Sequence, residues 1–533
     1  MTRSVEPVLT LPPVPERSLG PQVFQWCQEY VRQPDGPDAG ERWQFTAEQI
    51  RFLHYLYAVD DRGRFLWSRS VLRRAKGWGK SPLMAALALA ELCGPVRFDG
   101  FDADGVPVGA PASLPWVQIA GVSEKQTNNT MSMVLAMVAE SPIVDDYGLD
   151  PGLTRVFAAG GGKLEPITAS ASTAEGARPT FCVLDETHHW VQANGGHKLA
   201  EVIRRNLGKS RDGAARSVET TNAHEMGVES VAERSYDAWQ AQAAGRTARA
   251  TILYDSREAP PGVDLSDEAE LMAALEAAYG DSSWVDLERV RDEVYDPGTP
   301  PSEARRFYLN QMSVADDAWL SPLEWDAQAL PELTPAAGEQ ITLGFDGSKS
   351  DDHSALIGCL VEVDHVFEIH VWEPDRMTGE VDRADIDRRV RQAFDTYDVV
   401  GFLSDLHPWE SYVDRWAEEL GSGLCVKSTS RHPVAFDMRS RQAEFTAACE
   451  SFHDAIVEQQ LTHCGSTRFR QHAHNARMAS NRWGVTVRKE HRESARKIDA
   501  VPAAVLARLA RQQYLALPKA RRRRQRTGRA SFL

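Results

Sequence analysis

Short apolar runs alternate with longer amphipathic segments along the first half of the chain, between about residues 45 and 224. The short runs predict buried strands and the longer segments predict helices. The predicted order is helix (FTAEQIRFLHYLYAVD), strand (FLWSRSVLRRAK), helix (SPLMAALALAELCG), strand (PWVQIAGVS), helix (EKQTNNTMSMVLAMVAE) and two strands (PTFCVLDET and AARSVETTNAH). Because the strands alternate with helices, we expect an α/β unit with a mostly parallel sheet.

A second α/β unit is predicted after a helical, acidic stretch. Three strand-like runs (ITLGFDGS, HSALIGCLVEV and HVFEIHVWEP) are followed by a helix, the strand VVGFLSD and further helices to about residue 512. The predicted boundaries are an extended N-terminal arm at 1–40, a first α/β unit at 41–257, a helical linking region at 258–338, a second α/β unit at 339–512 and a basic tail at 513–533.

Size and composition agree with this division. The 533 residues exceed what one hydrophobic core usually supports, and 42% apolar with 26% charged residues is an ordinary globular composition. No run approaches the ~18–20 apolar residues of a membrane span, and the N-terminus lacks a cleavable signal pattern. Seven scattered cysteines without a C-x-x-C pair argue against a disulfide framework and a zinc cluster. We therefore expect a cytosolic protein with reduced thiols and no membrane partner.

Charge is segregated along the chain. The net charge of −16 argues against a nucleic-acid partner, yet the last sixteen residues carry seven Lys/Arg and no acid. Such a tail is either a disordered solubilising end or an arm that contacts phosphates or an acidic protein surface. The charge pattern alone leaves both interpretations open.

The stretch VLRRAKGWGKS (71–81) ends like a phosphate-binding loop, or Walker A motif, but has Arg74 where the pattern needs its first glycine. Gly77 and Gly79 give the backbone the freedom to approach phosphates closely. Lys80 is the candidate phosphate lysine and Ser81 the candidate Mg²⁺ hydroxyl. The strand–loop–helix context favours a nucleotide site, although G-K-S with its first glycine missing is weak evidence by itself.

The run FCVLDE supplies the partner that a nucleotide site requires. Its four apolar residues place Asp185 at the end of a buried strand, where the carboxylate can hold Mg²⁺ as in a Walker B motif. Glu186 follows as a candidate general base that orients the attacking water. A solvated strand end is the ordinary alternative, and the position of the run among other strands weakens that alternative.

Other residues are candidates for the same site. VETTNA resembles a strand-end motif that senses the γ-phosphate, with Thr220, Thr221 and Asn222 as candidates, and a plain strand end is the alternative. Gln49 is a candidate to read adenine through its amide, although it also fits an exposed helix position. The cation that opposes the developing charge remains unassigned among four arginines. These are Arg73, Arg74, Arg204 and Arg205.

Three acids in the second unit predict a metal site. Asp346 lies on its first strand, Asp405 ends a later strand, and Asp499 lies in an otherwise apolar helix. Converging carboxylates can hold two divalent ions for phosphodiester cleavage, whereas a lone strand-end Asp is usually a turn former. Asp352 is a candidate fourth ligand. His353, His407 and His491 lie near these acids, and surface histidines are the alternative for each. This order of acids resembles an RNase H-like nuclease.

The combined pattern resembles the large terminase subunit of tailed bacteriophages, over about residues 40–512. That family has a P-loop with a basic residue in place of its first glycine, a VLDE strand, a TTN motif, a helical linker and an RNase H-like domain. EGARPTFCVLDETHHW is similar to the family's segment around its acidic pair, and RRFYLNQ (305–311) to its linker motif. FDGSKSDDHSAL is similar to its first nuclease motif, with Asp346 and Asp352 in register.

The resemblance implies a fold, an activity and partners. It implies a P-loop (RecA/ASCE-like) ATPase that translocates double-stranded DNA into a procapsid, and an RNase H-like nuclease that cuts concatemeric DNA. Lys80 and Ser81 would bind phosphates and Mg²⁺, Asp185 the metal, and Glu186 would be catalytic. Thr220, Thr221 and Asn222 would couple hydrolysis to motion, and Arg74 is a candidate to sense phosphate. Asp346, Asp405 and Asp499 would bind Mg²⁺ or Mn²⁺. The implied partners, in the host cytoplasm, are the portal protein, a small terminase subunit and further copies in a ring.

Two other functions fit parts of the pattern. A helicase-like translocase with an attached nuclease would show further helicase motifs and a second RecA-like domain, and neither is found in the sequence. A non-enzymatic scaffold with a decayed P-loop would account for Arg74 but not for the downstream acids.

Overall fold

The computed structural model describes residues 6–169, 176–210, 213–314, 317–348, 352–375, 378–491, 494 and 496–522. The chain divides into two compact units, one that ends at Ser313 and one that begins at Val314. The first five residues of the predicted arm and residues 523–533 of the predicted tail lie outside the described residues. Among the described helices, none has the length and apolar character needed to cross a membrane.

The first unit contains the following strands and helices. Its strands are β1 (Val8–Leu9), β2 (Arg69–Arg73), β3 (Arg97–Phe101), β4 (Pro107–Ala110), β5 (Trp116–Gly121), β6 (Asp150–Pro151), β7 (Val156–Ala158), β8 (Gly162–Thr168), β9 (Phe181–Leu184), β10 (Arg216–Thr221) and β11 (Ile252–Glu258). Its helices are α1 (Gly20–Tyr30), α2 (Ala47–Leu56), α3 (Lys80–Cys93), α4 (Glu124–Val138), α5 (Ile143–Asp146), α6 (Gly196–Leu207), α7 (Val231–Ala243), α8 (Glu268–Tyr279), α9 (Leu287–Tyr295) and α10 (Pro301–Phe307).

A nine-stranded sheet, counted over the described residues, forms the centre of this unit in the order β1-β11-β2-β10-β9-β5-β8-β7-β6. From β11 to β8 every neighbouring pair is parallel, and only the edge strands are antiparallel. One strand, β10, separates β2, which leads into the P-loop, from β9, which leads into the acidic pair. The predicted mostly parallel α/β sheet is confirmed.

The helix after the P-loop is buried on nearly all sides. From Leu83 to Cys93 every residue of α3 is buried, as expected for a helix that is apolar around its whole circumference. This helix packs within the main core of the first unit together with residues of β5, β9 and β10. The start of α3, at Lys80, is thereby held at the carboxyl edge of the sheet.

Residues 258–313 pack in the first unit. Helices α8 to α10 form a separate apolar cluster that includes Ala75 of the P-loop. The backbone amide of Lys76 donates to the carbonyl oxygen of Phe307 at 2.7 Å. The Tyr279 hydroxyl donates to the carbonyl oxygen of Lys76, also at 2.7 Å. These contacts brace the loop from the side opposite α3.

The second unit contains the following strands and helices. Its strands are β12 (Gln340–Asp346), β13 (Ser354–Leu360), β14 (His365–Trp372), β15 (Asp398–Asp405), β16 (Ala435–Phe436), β17 (Thr462–His463), β18 (Arg477–Asn481) and β19 (Gly484–Arg488). Its helices are α11 (Pro322–Ala327), α12 (Arg383–Thr396), α13 (Glu410–Leu420), α14 (Gln442–Val457), α15 (Thr467–Asn475) and α16 (Ala500–Ala516).

The main sheet of this unit has the order β16-β15-β12-β13-β14-β17. Strands β12, β13 and β14 are successive antiparallel neighbours, whereas β15 pairs parallel to β12 and β16 parallel to β15. Three antiparallel strands with two parallel strands added beside the first give the strand order of an RNase H-like sheet, as predicted. The linking residues Trp319 and Trp325 pack in the core of this unit.

Several elements differ from the sequence pattern. The hairpin of β3 and β4, whose run is rich in Gly and Asp, and the short strands β6 and β7 are not among the predicted elements. The strand β11, whose run ILYDSRE carries three charged residues, is not among them either. Asp499 is not inside an apolar helix but is the residue that immediately precedes α16. The helix starts at Ala500, and Pro502 fits its first turn because no intrahelical partner is needed there for a backbone N–H.

Helix α16 lies directly on strand β12, and Gly344 makes this close approach possible. A Cβ atom at position 344 would stand 1.9 Å from the carbonyl oxygen of Ala503 and 2.5 Å from the amide nitrogen of Ala507. Both are backbone atoms of a buried helix and cannot move alone. The hydroxyl of Thr342 also donates to the carbonyl oxygen of Ala507 at 2.7 Å.

We predict that Gly344→Ala lowers the free energy of unfolding of the second unit by about 1–3 kcal/mol, because the helix must shift to admit the methyl group. Scanning calorimetry measures the loss. Gly208→Ala is the matched control, since a Cβ at position 208 meets no atom nearer than 3.5 Å. Equal melting behaviour of Gly344→Ala and wild type would contradict the close packing.

Candidate active sites

The P-loop connects β2 to α3 and holds Lys80 in a fixed position. Gly77 and Gly79 have φ angles of 86° and 91°, a left-handed conformation that side chains other than glycine rarely adopt. The Lys80 ammonium donates to the carbonyl oxygens of Arg74 and Ala75, both at 3.0 Å. The loop therefore closes around its own lysine, at the N-terminus of a helix, where an anion is favoured.

Electrostatics make Lys80 receptive to an anion. Burial lowers the pKa of Lys80 to about 8, and the nearby carboxylates of Glu186 and Asp185 oppose this shift. A buried ammonium that pays a desolvation cost is stabilised by any further negative group that binds beside it. Phosphate oxygens at the start of α3 would supply that charge.

Asp185 lies directly after β9 and is held by two hydroxyls. Thr220 Oγ1 donates to Asp185 Oδ1 at 2.6 Å, and Thr130 Oγ1 donates to Oδ2 at 2.7 Å. Asp185 is 2% exposed, and burial raises its pKa although both hydrogen bonds act in the opposite direction. A buried carboxylate with neutral donors, at the end of the strand, has the chemistry of a ligand for a hard cation such as Mg²⁺.

Glu186 has an unusual backbone conformation. Its φ of 53° is left-handed, and its amide donates to Thr220 Oγ1 at 3.3 Å. Its side chain lines an open cleft of about 480 Å³, together with Asp185 and residues of the α4 N-terminus that include Asn129. Asn129 Nδ2 also donates to Ser81 Oγ at 3.4 Å. The cleft thus lies beside both the P-loop serine and the acidic pair.

The Thr-Thr-Asn segment connects the acidic strand to the P-loop. Thr220 contacts Asp185 and Glu186 as described above. Asn222 Nδ2 donates to the carbonyl oxygen of Arg74 at 2.9 Å, and Thr221 Oγ1 donates to the carbonyl oxygen of Asn222 at 2.7 Å. The register of the parallel sheet explains why this segment contacts both the acidic pair and the P-loop, since Leu184 pairs with Glu219 and Thr221 pairs with Arg73.

Arg74 serves as a structural anchor of the loop. It is fully buried, and its guanidinium pairs with Asp255 at 2.7 Å and Glu48 at 3.6 Å and lies over the ring of Trp78. The side chain is therefore engaged in a buried ion-pair network. Its carbonyl oxygen accepts from both Lys80 and Asn222.

Gln49 is likewise engaged within the protein. It is 1% exposed, and its side-chain oxygen accepts from the Thr46 amide at 3.1 Å in a capping box at the start of α2. Its neighbour Glu48 pairs with Arg74, which places the α2 N-terminus beside the base of the P-loop. The amide oxygen of Gln49 is thus already used.

The other predicted arginines do not converge on the cleft. Arg73 is buried and pairs with Glu258, and Arg205 pairs with Glu201 on α6. Arg204 lines a separate cavity of about 490 Å³ together with Arg69, which is the first residue of β2 and lies at the opposite strand end from the P-loop.

A further arginine that the sequence pattern missed, Arg306 on α10, approaches the strand ends. Its Nε donates to the carbonyl oxygen of Ala223 at 3.4 Å, and its Nη1 pairs with Glu225 at 3.2 Å. Its positive charge acts on the neighbouring His188 and His189, and together with burial it lowers the pKa of both rings. Arg306 therefore connects the helix α10 to the end of β10.

Three carboxylates meet at one edge of the second sheet. Asp346 ends β12 and Asp405 ends β15, and these parallel neighbours are in register at Phe345 and Ser404, one residue before the two acids. Asp499 immediately precedes α16, which packs across β12. The structure therefore brings together the three acids that were predicted as metal ligands.

These acids perturb one another. The pKa of Asp346 is raised well above its usual range by burial and then by the charges of Asp499 and Asp405. Burial also raises the pKa values of Asp405 and Asp499, and Asp499 Oδ2 is buried with no hydrogen-bond partner among the described residues. A divalent cation would relieve all of these costs, and oxygen donors suit Mg²⁺ or Mn²⁺. Among the described residues no three His, Cys, Asp or Glu side chains stand at metal-binding spacing as they are placed.

Two lysines occupy the space beside this cluster. Lys489, directly after β19, pairs with Asp352 and lies 3.9 Å from Asp499 Oδ1, and Lys497 pairs with Asp352 at 3.3 Å. The charge of Lys489 also lowers the pKa of Asp346. Asp352 is thus tied to lysines, and Lys489 supplies the positive charge that a metal ion would otherwise bring.

The predicted histidines fall into two groups. His353 Nδ1 lies 2.9 Å from His472 Nε2, and the amide of Ala500 donates to His472 Nδ1 at 2.9 Å, so His353 is linked to the start of α16. His407 pairs with the exposed Glu410, and His491 is exposed.

Some site residues gave little signal in the sequence. Thr130 lies on the buried face of α4, where a polar residue among apolar positions was the available sign. The local sequence does not distinguish Lys489, His472 and Arg306 from other charged or polar residues, because the packing of their segments depends on the tertiary structure.

Comparison with known proteins places the chain among phage proteins. It is 40% identical to the gene 13 protein of Mycobacterium phage L5 over an alignment of 557 positions, which covers 95% of this chain and 93% of that protein. The gene 13 protein of Mycobacterium phage D29 is 39% identical, covering 96% and 93%. The chain belongs to the family of these gene 13 proteins. No general family model matches it.

The fold of this family member is that of a phage large terminase. The crystal structure of the HK97 bacteriophage large terminase matches with a TM-score of 0.51 and 17% sequence identity, covering 92% of this chain and 100% of that chain. The predicted resemblance to the large terminase subunit of tailed phages is therefore confirmed, and it extends over both units.

We predict that Lys489→Met increases the affinity of the acid cluster for Mn²⁺ by roughly tenfold, the equivalent of about 1.4 kcal/mol, because the competing ammonium is removed. Electron paramagnetic resonance titration of Mn²⁺ measures this without relying on cleavage. Lys427→Met, at an exposed position of the same unit, removes the same charge and is the control. Unchanged Mn²⁺ affinity in Lys489→Met would show that Lys489 does not compete with the metal.

Proposed function

We propose that this protein is a viral DNA-packaging motor that hydrolyses ATP to move double-stranded DNA into a procapsid and cuts concatemeric DNA with a two-metal nuclease. The observation that carries this proposal is the grouping of Lys80 with Asp185 and Glu186 at the ends of β2 and β9, with Asn222 and Thr220 between them. The acid cluster of the second unit supports the nuclease activity.

For ATP hydrolysis, the role of each residue follows from its position in the site. The amides at the start of α3 and the Lys80 ammonium bind the phosphates, and the hydroxyl of Ser81 and the carboxylate of Asp185 hold Mg²⁺. When bound there, Mg²⁺ would supply positive charge to the phosphates. Glu186, which lines the cleft with Asp185, orients the attacking water and takes up its proton.

Coupling of hydrolysis to movement would pass through the Thr-Thr-Asn segment. Thr220 contacts the acidic pair, and Asn222 contacts the carbonyl oxygen of Arg74 in the P-loop. A change at the terminal phosphate would therefore shift both the acidic pair and the P-loop, which meet at the end of β10. Arg306 and the segment around it carry that shift toward α10. This role agrees with the predicted function of Thr221 and Asn222 in reading the nucleotide state.

For DNA cleavage, Asp346, Asp405 and Asp499 would hold the divalent ions, either Mg²⁺ or Mn²⁺. Ions held by these carboxylates would supply the positive charge that phosphodiester cleavage requires. Asp499 contributes the oxygen that lacks a partner, and the raised pKa values of all three acids reflect a site that is short of positive charge. Asp352, paired with lysines, is at most an outer member of the site.

The proposed partners follow from this function and from the fold shared with a large terminase. They are double-stranded DNA, the portal protein of the procapsid, a small terminase subunit and further copies of the chain in a ring. A neighbouring copy is a source for the arginine that opposes the developing charge, since the predicted arginines within this chain are engaged elsewhere. The host cytoplasm is the proposed location.

We predict that Glu186→Gln lowers DNA-stimulated ATP turnover by about 10²–10⁴-fold while ADP affinity stays within a few fold of wild type, because Lys80 and Asp185 remain. Phosphate release and equilibrium ADP binding measure the two effects. Glu201→Gln, at an exposed position of α6, is the control. Absence of wild-type turnover with DNA and procapsids present would favour the decayed-scaffold alternative.

For the nuclease, Asp346→Ala and Asp499→Ala should each abolish Mn²⁺-dependent plasmid cleavage and leave ATP turnover intact, because the acids lie in a different unit from the P-loop. Gel analysis of plasmid cleavage and phosphate release provide the readouts. Asp395→Ala, on the exposed face of α12, should cut like wild type. Full cleavage by both variants would refute the metal-site assignment.

A further inference from the structure

An exposed tryptophan lies directly on the P-loop. Trp284, between α8 and α9, donates its indole N–H to the carbonyl oxygen of Gly77 at 3.0 Å. Its ring atom Cζ2 stands 2.9 Å from the place where a Cβ of residue 79 would be. The side chain is nevertheless 51% exposed. Half of a large aromatic surface therefore faces solvent at the edge of the nucleotide loop.

Apolar packing within the protein does not explain why this large aromatic side chain lies at an exposed position. Trp284 is absent from the apolar cluster of α8 to α10, which includes its neighbour Val285 among the partly buried members. Its position is fixed by the hydrogen bond to Gly77 and by contact with Gly79, so the ring is held still without being covered. Rigid, half-exposed aromatic rings with one polar anchor are well suited to bind a flat apolar ligand.

The chemistry of the loop identifies that ligand. A nucleotide whose phosphates bound at the amides around Lys80 would have its nucleoside end projecting from the loop. Trp284 is an exposed aromatic ring that contacts the loop at Gly77 and Gly79. Gln49, the residue first considered for adenine, is 1% exposed and its side-chain oxygen is already bonded to Thr46.

We propose that Trp284 is a nucleotide-binding residue whose exposed indole face stacks on the purine base of the bound nucleotide. This inference rests on the proposed ATPase function and adds the group that holds the base. Stacking of a base on an aromatic ring is tolerant of the base's identity. Trp284 therefore contributes affinity for adenine and guanine nucleotides alike and does not by itself select adenine.

Calorimetric titration of the full-length protein with Mg-ADP and with Mg-pyrophosphate tests the proposal. Trp284→Ala removes both the ring and the hydrogen bond to Gly77, whereas Trp284→Phe keeps a ring and removes only the hydrogen bond. We expect Trp284→Ala to weaken ADP binding by about tenfold and to leave pyrophosphate binding unchanged. We expect Trp284→Phe to stay within about threefold of wild type for both ligands.

Trp483→Ala is the matched control, since Trp483 is 48% exposed in the second unit, and it should bind ADP like wild type. Equal weakening of ADP and pyrophosphate in Trp284→Ala would show that Trp284 only shapes the loop, and unchanged ADP binding would show no role for the ring. Either result overturns the inference about Trp284 and leaves the proposed ATPase function standing. Failure of the wild type to bind ADP would overturn the proposed function as well.

Discussion

The nucleotide site depends on one backbone atom, the carbonyl oxygen of Arg74. It accepts hydrogen bonds from Lys80, which begins the helix after the loop, and from Asn222, which follows the adjacent strand. The side chain of Arg74 is meanwhile fixed by Asp255 and Glu48. A glycine at this position would supply the same carbonyl but would lack the ion pairs that hold it in place. The residue that departs from the P-loop pattern is therefore the one that fixes the loop to the sheet.

The second unit depends on an opposite constraint, the repulsion among carboxylates. Burial raises the pKa of Asp346, Asp405 and Asp499, and at Asp346 the charges of the other two acids raise it further, while Lys489 lowers the pKa of Asp346 and Asp499. Their positions are set by the most rigid part of the unit, where α16 lies on β12 through Gly344. The packing thus keeps together charges that would otherwise separate.

Residues at the ends of predicted strands could be identified from the sequence because an apolar run fixes both the strand and the position of its last residue. This worked for Asp185, Glu186, Asp346 and Asp405, and the alternation of strands and helices gave the α/β class of both units. Roles that depend on the direction of a side chain could not be predicted. Arg74 and Gln49 face into the protein, Thr130 and Lys489 come from distant segments, and Asp499 precedes its helix rather than lying within it. Apart from the polar Thr130 among apolar positions of α4, the sequence carries no local signal for these features.

The hydrogen bond from the Ala500 amide to His472 determines what His353 can do. Because His472 Nδ1 accepts that bond, the proton of the neutral ring is on Nε2 and is donated to His353 Nδ1. The proton of the neutral His353 is then also on Nε2. Burial lowers the pKa of His472 to about 3 and that of His353 to about 4, so both rings are neutral at physiological pH. His353 therefore presents an N–H group at Nε2, and it cannot take up a proton at Nδ1 without giving up its hydrogen bond from His472.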